Sequence, residues 1–150
     1  MPYEFKQERR IEFAETDMAG IVHFSNFFRY MESTEHEFFR SLGQSLHENQ
    51  DGRMQGWARV HAECDYSAPL HYEDLLEVRL LVRKKSRTSL SYDFVFTKTA
   101  PDDPVEVGRG KMTVVCVARE PGQERMHPVP MPALITEQVE VAPDGLFETQ

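Results

Sequence analysis

The stretch ETDMAGIVHFSNFFRY, Glu15 to Tyr30, holds the groups best placed to do chemistry. A carboxylate, Asp17, lies in a Gly-containing segment just before what reads as a helix start. The first N–H groups of a helix lack intrahelical acceptors and carry partial positive charge. They can therefore receive an anion or a developing oxyanion. An ionised carboxylate beside such donors can serve as nucleophile or general base against a carbonyl carbon. Asp is equally at home as a helix cap or turn residue, so the residue by itself leaves both readings open. His23, at the helix entrance, reads either as a pocket residue or as an ordinary polar residue.

A second group is Arg83-Lys84-Lys85-Ser86-Arg87-Thr88, with four cations in a chain of net charge −8. Lys84, Lys85 and Arg87 could hold a ligand bearing several phosphates. The alternative is a solvated hairpin tip that discourages edge-to-edge pairing. Glu32 and Glu35 are reserve carboxylates, read first as solvated or paired with Arg29 or His36. His47, His61, His71 and His127 show no metal-ligand spacing, and His36-Glu37 does not begin an HExxH motif. With no zinc pattern, G-x-S-x-G, GxGxxG or P-loop, the sequence calls for no metal and no cofactor. Trp57, near Met54, reads as a strand-start anchor before it reads as a pocket wall.

These groups need a scaffold. Tyr3, Phe5, Ile11 and Phe13 share parity and predict a first strand. Phe27, Met31, Thr34, Phe38 and Leu42 step by three and four, predicting a helix from about Asn26 to Leu42, roughly 27 Å long. Ser25 or Asn26 can cap its start, and Gly43 suits the position after its end. Leu42–Gly56 reads as a loop. Ala58, Val60, Ala62, Cys64, Tyr66, Ala68 and Leu70 alternate with polar residues, predicting a half-buried strand. Leu76–Val82 and Leu90–Phe96 predict a hairpin. Val105–Arg119 reads as a long strand in which Gly108 and Gly110 allow a bulge. Prolines 128, 130 and 132 form a spacer before a short C-terminal helix. Four consecutive strands after one long helix imply an antiparallel sheet curved around that helix, an α+β layout.

At 150 residues the chain is one domain, with a core over about 3–119 and an extension over 120–150. Its acidity argues against nucleic acid and anionic membranes as partners. No apolar run approaches the ~18 residues of a membrane helix, and the charged start lacks a signal-peptide core. Cys64 and Cys116 read as buried free thiols in a reducing cytoplasm.

The motif around Asp17 resembles the 4-hydroxybenzoyl-CoA thioesterase family, acyl-CoA hydrolases of the hotdog fold. The matching positions are Thr16, Asp17, Ala19, Gly20, Ile21, Val22, Asn26, Phe27, Arg29, Tyr30 and Glu32. The resemblance implies that Asp17 is nucleophile or general base on a thioester carbonyl. It implies that the Phe24 backbone N–H polarises the carbonyl oxygen, and that basic residues such as Lys84, Lys85 and Arg87 contact coenzyme A. It also implies a homodimer or homotetramer with sites between subunits. Many relatives carry Tyr-His where this chain has His23-Phe24. The rival expectations are an acyl-thioester dehydratase or hydratase using His23, and a module that binds acyl-CoA without turnover.

Overall fold

The computed structural model describes residues 2–44 and 48–147. The chain runs β1 (Glu4–Arg10), α1 (Asn26–Ser41), β2 (Glu48–Gln50), β3 (Arg53–Tyr66), β4 (Leu75–Lys85), β5 (Ser89–Ala100), β6 (Val105–Arg119), β7 (His127–Pro128) and α2 (Ala133–Gln138). All strand pairs are antiparallel, in the order β1-β4-β5-β6-β3-β2, with β7 added on β6. His47 lies outside the described residues.

Helix α1 lies across one face of the sheet. It buries Phe27, Tyr30, Met31, Thr34, Phe38 and Phe39. Opposite them are the inward rows Leu76-Val78-Leu80-Val82 and Leu90-Tyr92-Phe94-Phe96, with Met112, Val114 and Cys116 from β6. The period-3.6 row and the period-2 rows thus meet in one core. The helix ends one residue earlier than its spacing predicts. Leu42 is the C-cap, and Gly43 takes the left-handed φ of +79° that suits the residue after it.

Two glycines of β6 admit close neighbours, Gly110 the helix and Gly108 the backbone of β3. A Cβ at Gly110 would stand 2.5 Å from the Met31 sulfur, and one at Gly108 would stand 2.8 Å from the Asp65 carbonyl oxygen. The predicted bulge falls beside them. Phe96 pairs Gly108 and Thr97 pairs Glu106, so Val107 is the extra residue.

Strand β3 departs from its sequence pattern. The register against β6 slips between Arg59 and His61, and that bulge at Val60 reverses the parity. Trp57 and Arg59 therefore face the helix before the bulge, as their contacts with Phe39 and Glu35 show. After it, Tyr66 does so through its edge-on contact with Phe27. Val60 is consequently 61% exposed rather than half-buried. The predicted loop over Leu42–Gly56 also gives way, because β2 and the start of β3 lie within it. Phe13 shares the parity of β1 but sits in a 3-10 turn beyond its end, largely exposed.

The C-terminal extension belongs to the core. Met131, Ile135, Val139 and Ala142 are buried, and Met131 N–H and Ala142 N–H donate to Arg87 O and Val82 O. Cys116 is buried as expected, whereas Cys64 is only partly so.

Gly108→Ala should destabilise the fold by about 1–3 kcal/mol, because its Cβ meets backbone rather than a mobile side chain. Urea unfolding measures this, and an unchanged midpoint would show that β3 and β6 can separate freely there.

Candidate active site

Residues 15–23 form a narrow tongue between β1 and α1. His23 N–H donates to Glu15 O at 2.9 Å, Asp17 N–H donates to Ile21 O at 2.9 Å, and Thr16 and Val22 form a bridge between them. Gly20, at φ +81°, turns the tip. The Asp17 side chain folds over that tip, its Oδ1 accepting the Ala19 N–H at 2.9 Å. Oδ2 has no hydrogen-bond partner among the described residues. The tongue rests on the segment before β4: Val22 N–H donates to Leu70 O at 2.8 Å, and Ile21 bridges His71.

The helix start is a tight turn. Asn26, Phe27 and Phe28 N–H groups donate to the carbonyls of His23, Phe24 and Ser25 at 2.9, 3.3 and 3.2 Å. The donors expected from the first turn are thus already used. Neither predicted cap acts as one. Ser25 makes no side-chain capping bond, and Asn26 Nδ2 donates instead to Glu15 O at 2.8 Å. The Phe24 N–H, one residue upstream, has no acceptor among the described residues. Its carbonyl accepts the Tyr66 hydroxyl at 3.1 Å, tying the helix entrance to the end of β3.

The His23 ring stacks on Phe24, with centroids 4.7 Å apart. Its Nδ1 accepts the Ser25 N–H at 3.3 Å and lies 2.8 Å from the Ser25 hydroxyl. In the neutral ring this assigns the proton to Nε2. Around Asp17 the surface is apolar. Met18 is fully exposed and Phe24 is 61% exposed. At the same end of the sheet, Phe13 and Tyr72 meet edge-on, with centroids 5.7 Å apart. A solvent-open hollow of about 550 Å³ lies between that aromatic pair and Arg9 and Arg10.

Asp17, His23 and Phe24 thus lie on one short segment, Asp17 near the tongue's tip and the stacked His23 and Phe24 at its base. Lys84, Lys85 and Arg87 lie elsewhere. The tongue is held beside His71, before the start of β4, while Lys84 and Lys85 close that strand and Arg87 follows it. The eleven residues of β4 separate them by roughly 33 Å at ~3.3 Å per residue. Lys84 and Arg87 are exposed. The Lys85 ammonium donates to the Thr136 and Val139 carbonyls at 3.0 and 2.8 Å, fastening α2. Arg83 pairs with Asp93 and lies 4.0 Å from the Phe147 ring centroid. Among the described residues no group of three or more metal-ligating side chains occurs, and no helix is long and apolar enough to cross a membrane.

The profile of the thioesterase-like superfamily matches residues 11–139 of this chain. The chain belongs to that superfamily. A protein of Aquifex aeolicus (strain VF5), provisionally named an esterase, is 38% identical over 98 residues, covering 65% of this chain and 74% of its own length. The 1,4-dihydroxy-2-naphthoyl-CoA hydrolase of Synechocystis sp. is 27% identical over 132 residues, covering 85% and 90%. The crystal structure of the 1,4-dihydroxy-2-naphthoyl-CoA thioesterase from Synechocystis superposes with a TM-score of 0.77 at 26% identity, over 91% of this chain and 95% of that one. A 4-hydroxybenzoyl-CoA thioesterase, solved as an Asp-to-Asn variant with 4-hydroxybenzoyl-CoA bound, superposes at 0.78. It is 21% identical, over 92% and 99%. The fold is the hotdog fold, as the helix-and-sheet pattern and the Asp17 motif imply.

Two features of this family member lay outside the sequence reading. Tyr66 counted only as one of an alternating row. Glu35 was assigned to solvent or to Arg29 or His36, yet it is fully buried and its Oε1 accepts from Arg59 Nη2 at 2.7 Å. Nothing local in the sequence reveals this, because the bulge at Val60 is what turns Arg59 toward the helix. Burial raises the Glu35 carboxyl to about 7, against the opposing pull of Arg59. A carboxyl raised above its unfolded value of 4.5 favours the folded state most at acid pH. That contribution fades as pH rises through about 7. The wild type should accordingly lose stability relative to Glu35→Gln between pH 5 and pH 8, read from urea midpoints. A constant difference would place the Glu35 carboxyl in its ordinary range.

Proposed function

We propose that this protein hydrolyses an acyl- or aroyl-CoA thioester to the free acid and coenzyme A. What supports the reading is that one short segment carries both the Asp17 carboxylate, near the tongue's tip, and, at its base, the Phe24 N–H, which has no acceptor among the described residues. The CoA-thioester hydrolases among its relatives support the same chemistry. The Phe24 N–H receives the carbonyl oxygen and stabilises its developing charge. Asp17 either attacks the carbonyl carbon or removes a proton from an attacking water. The C–S bond then breaks and the thiolate departs; on the route in which Asp17 attacks, water then hydrolyses the resulting acyl anhydride to release the free acid and restore the carboxylate. A thiolate is a good leaving group, so this route needs no strong acid, metal or organic cofactor. The exposed Met18, Phe13 and Tyr72 offer apolar surface for the acyl or aryl group. His23, stacked on Phe24, is assigned to substrate contact.

The phosphates of coenzyme A require a second copy. Lys84, Lys85 and Arg87 are too far along β4 to serve the Asp17 of their own chain. We therefore assign their substrate contacts, those of the exposed Lys84 and Arg87 above all, to the site of a neighbouring protomer in a homodimer or homotetramer. The β3 edge beyond Gln55 has no neighbouring strand among the described residues and exposes Val60, leaving a surface for that assembly.

Thiol release from a panel of acyl- and aroyl-CoA substrates tests the activity. Asp17→Asn should lower kcat by at least ~10²-fold. Phe24→Ala, which keeps the donor, should lower it far less. No thiol release, with hydration of an enoyl-CoA lost on His23→Ala and kept in Asp17→Asn, would favour the dehydratase reading, and binding without turnover would favour the non-catalytic one. Mixing Asp17→Asn protomers with Lys84→Ala/Arg87→Ala protomers should restore activity beyond either variant alone. No restoration would contradict a site shared between copies.

A further inference from the structure

Glu15 holds more of the site together than any residue the proposed chemistry uses. Its side chain is only 15% exposed. Oε1 accepts the Glu12 N–H at 2.8 Å, and Oε2 accepts from Arg9 Nη2 at 3.2 Å. Its carbonyl accepts both the His23 N–H at 2.9 Å and Asn26 Nδ2 at 2.8 Å. One residue thereby joins β1, the 3-10 turn, the tongue and the start of α1.

The anchor beneath it is rigid. The Arg9 guanidinium lies 4.5 Å from the centroid of the Tyr30 ring, which α1 holds fully buried on its inner face. Burial, with help from the Glu15 carboxylate, pushes the Tyr30 hydroxyl upward, so it stays protonated. One turn further along α1, Thr34 and Ser33 engage Gln7 of β1 at 3.0 and 3.2 Å. The β1–α1 contact is thus fixed by polar pairs, and Glu15 is the member that continues into the tongue.

We propose that Glu15 is a positioning residue for the hydrolysis assigned above: through Arg9 below and His23 and Asn26 above, it sets the spacing between the Asp17 carboxylate and the Phe24 N–H. The inference rests on the thioesterase reading. Asp17 lies two residues beyond Glu15, and Phe24 lies one residue beyond its partner His23. A tilt of the tongue against α1 therefore moves the two reacting groups relative to each other. Misplacement by about 1 Å at such a site costs ~10²-fold in rate.

The test is steady-state hydrolysis of the best acyl-CoA substrate by wild type, Glu15→Gln, Arg9→Gln and the double variant, each checked by thermal melting. Glu15→Gln keeps the side chain's size and an acceptor for Glu12 while removing the charge that holds Arg9. A positioning role predicts that kcat falls by roughly 10–10²-fold with KM within about twofold. It also predicts that the double variant is no worse than the poorer single one. Retained kcat in a folded Glu15→Gln variant would overturn the proposal, as would independent, multiplying losses in the double variant. Should Glu15→Gln not fold, Arg9→Gln decides alone by the same split between kcat and KM. A wild type inactive on every thioester would instead overturn the functional reading beneath it.

Discussion

The backbone pairing of residues 15–17 with 21–23 is the constraint on which the rest depends. It converts a loop into a short ladder whose two ends are already committed, one to β1 through Glu15 and the other to α1 through His23 and Asn26. The chain must pass from the sheet edge onto the sheet face within these few residues. The ladder makes that crossing rigid, and a rigid crossing is what lets a carboxylate and an N–H with no acceptor among the described residues be held on one segment. Preorganised groups of this kind need no rearrangement when charge develops on a substrate. The core contributes by fixing α1: Gly110 of β6 admits Met31, and the aliphatic row of β4 and the largely aromatic row of β5 close on the helix's buried face.

A cost of this arrangement is polar burial. Tyr30, Glu35 and Tyr92 each bury an oxygen without a hydrogen-bond partner in the described structure. Such groups oppose folding unless a neighbour compensates. Two arginines flank the helix there: Arg59 from β3 pairs with the Glu35 carboxylate, and Arg9 from β1, paired with Glu15, stacks on the Tyr30 ring. The two arginines resist sliding of α1 over the sheet in a way that Phe and Leu contacts alone would not, since apolar packing is non-directional. The bulge at Val60 brings Arg59 inward and turns Val60 out, so one irregularity serves the core and exposes the sheet edge.

Much of this was legible in the residues. The step of Phe27, Met31, Thr34 and Phe38 placed α1, and the alternation of Leu76–Val82 and Leu90–Phe96 placed the central hairpin. Both are repeats long enough to outweigh local exceptions. The motif around Asp17 led to the family and the fold. What the sequence hid was set by tertiary context. A bulge reverses parity without a residue that announces it, so Arg59 and Glu35 could not be paired in advance. Ser25 looked like a cap, but its hydroxyl turns to His23. The capping-box spacing of Glu12 and Glu15 was the one local sign of Glu15's part. The basic hairpin was visible as a charge cluster, and only the length of β4 separates it from the Asp17 of its own chain.

Separating binding from chemistry in Asp17→Asn tests the central claim most directly. Acyl-CoA binding is measured by calorimetry, and thiol release is followed in a single turnover with the protein in excess. The account predicts that the folded variant binds with an affinity within a few fold of the wild type's for a non-hydrolysable analogue, and that the bound thioester survives. Release at the wild-type rate from that complex would contradict it, because the carboxylate held at the tongue would then have no part in breaking the bond.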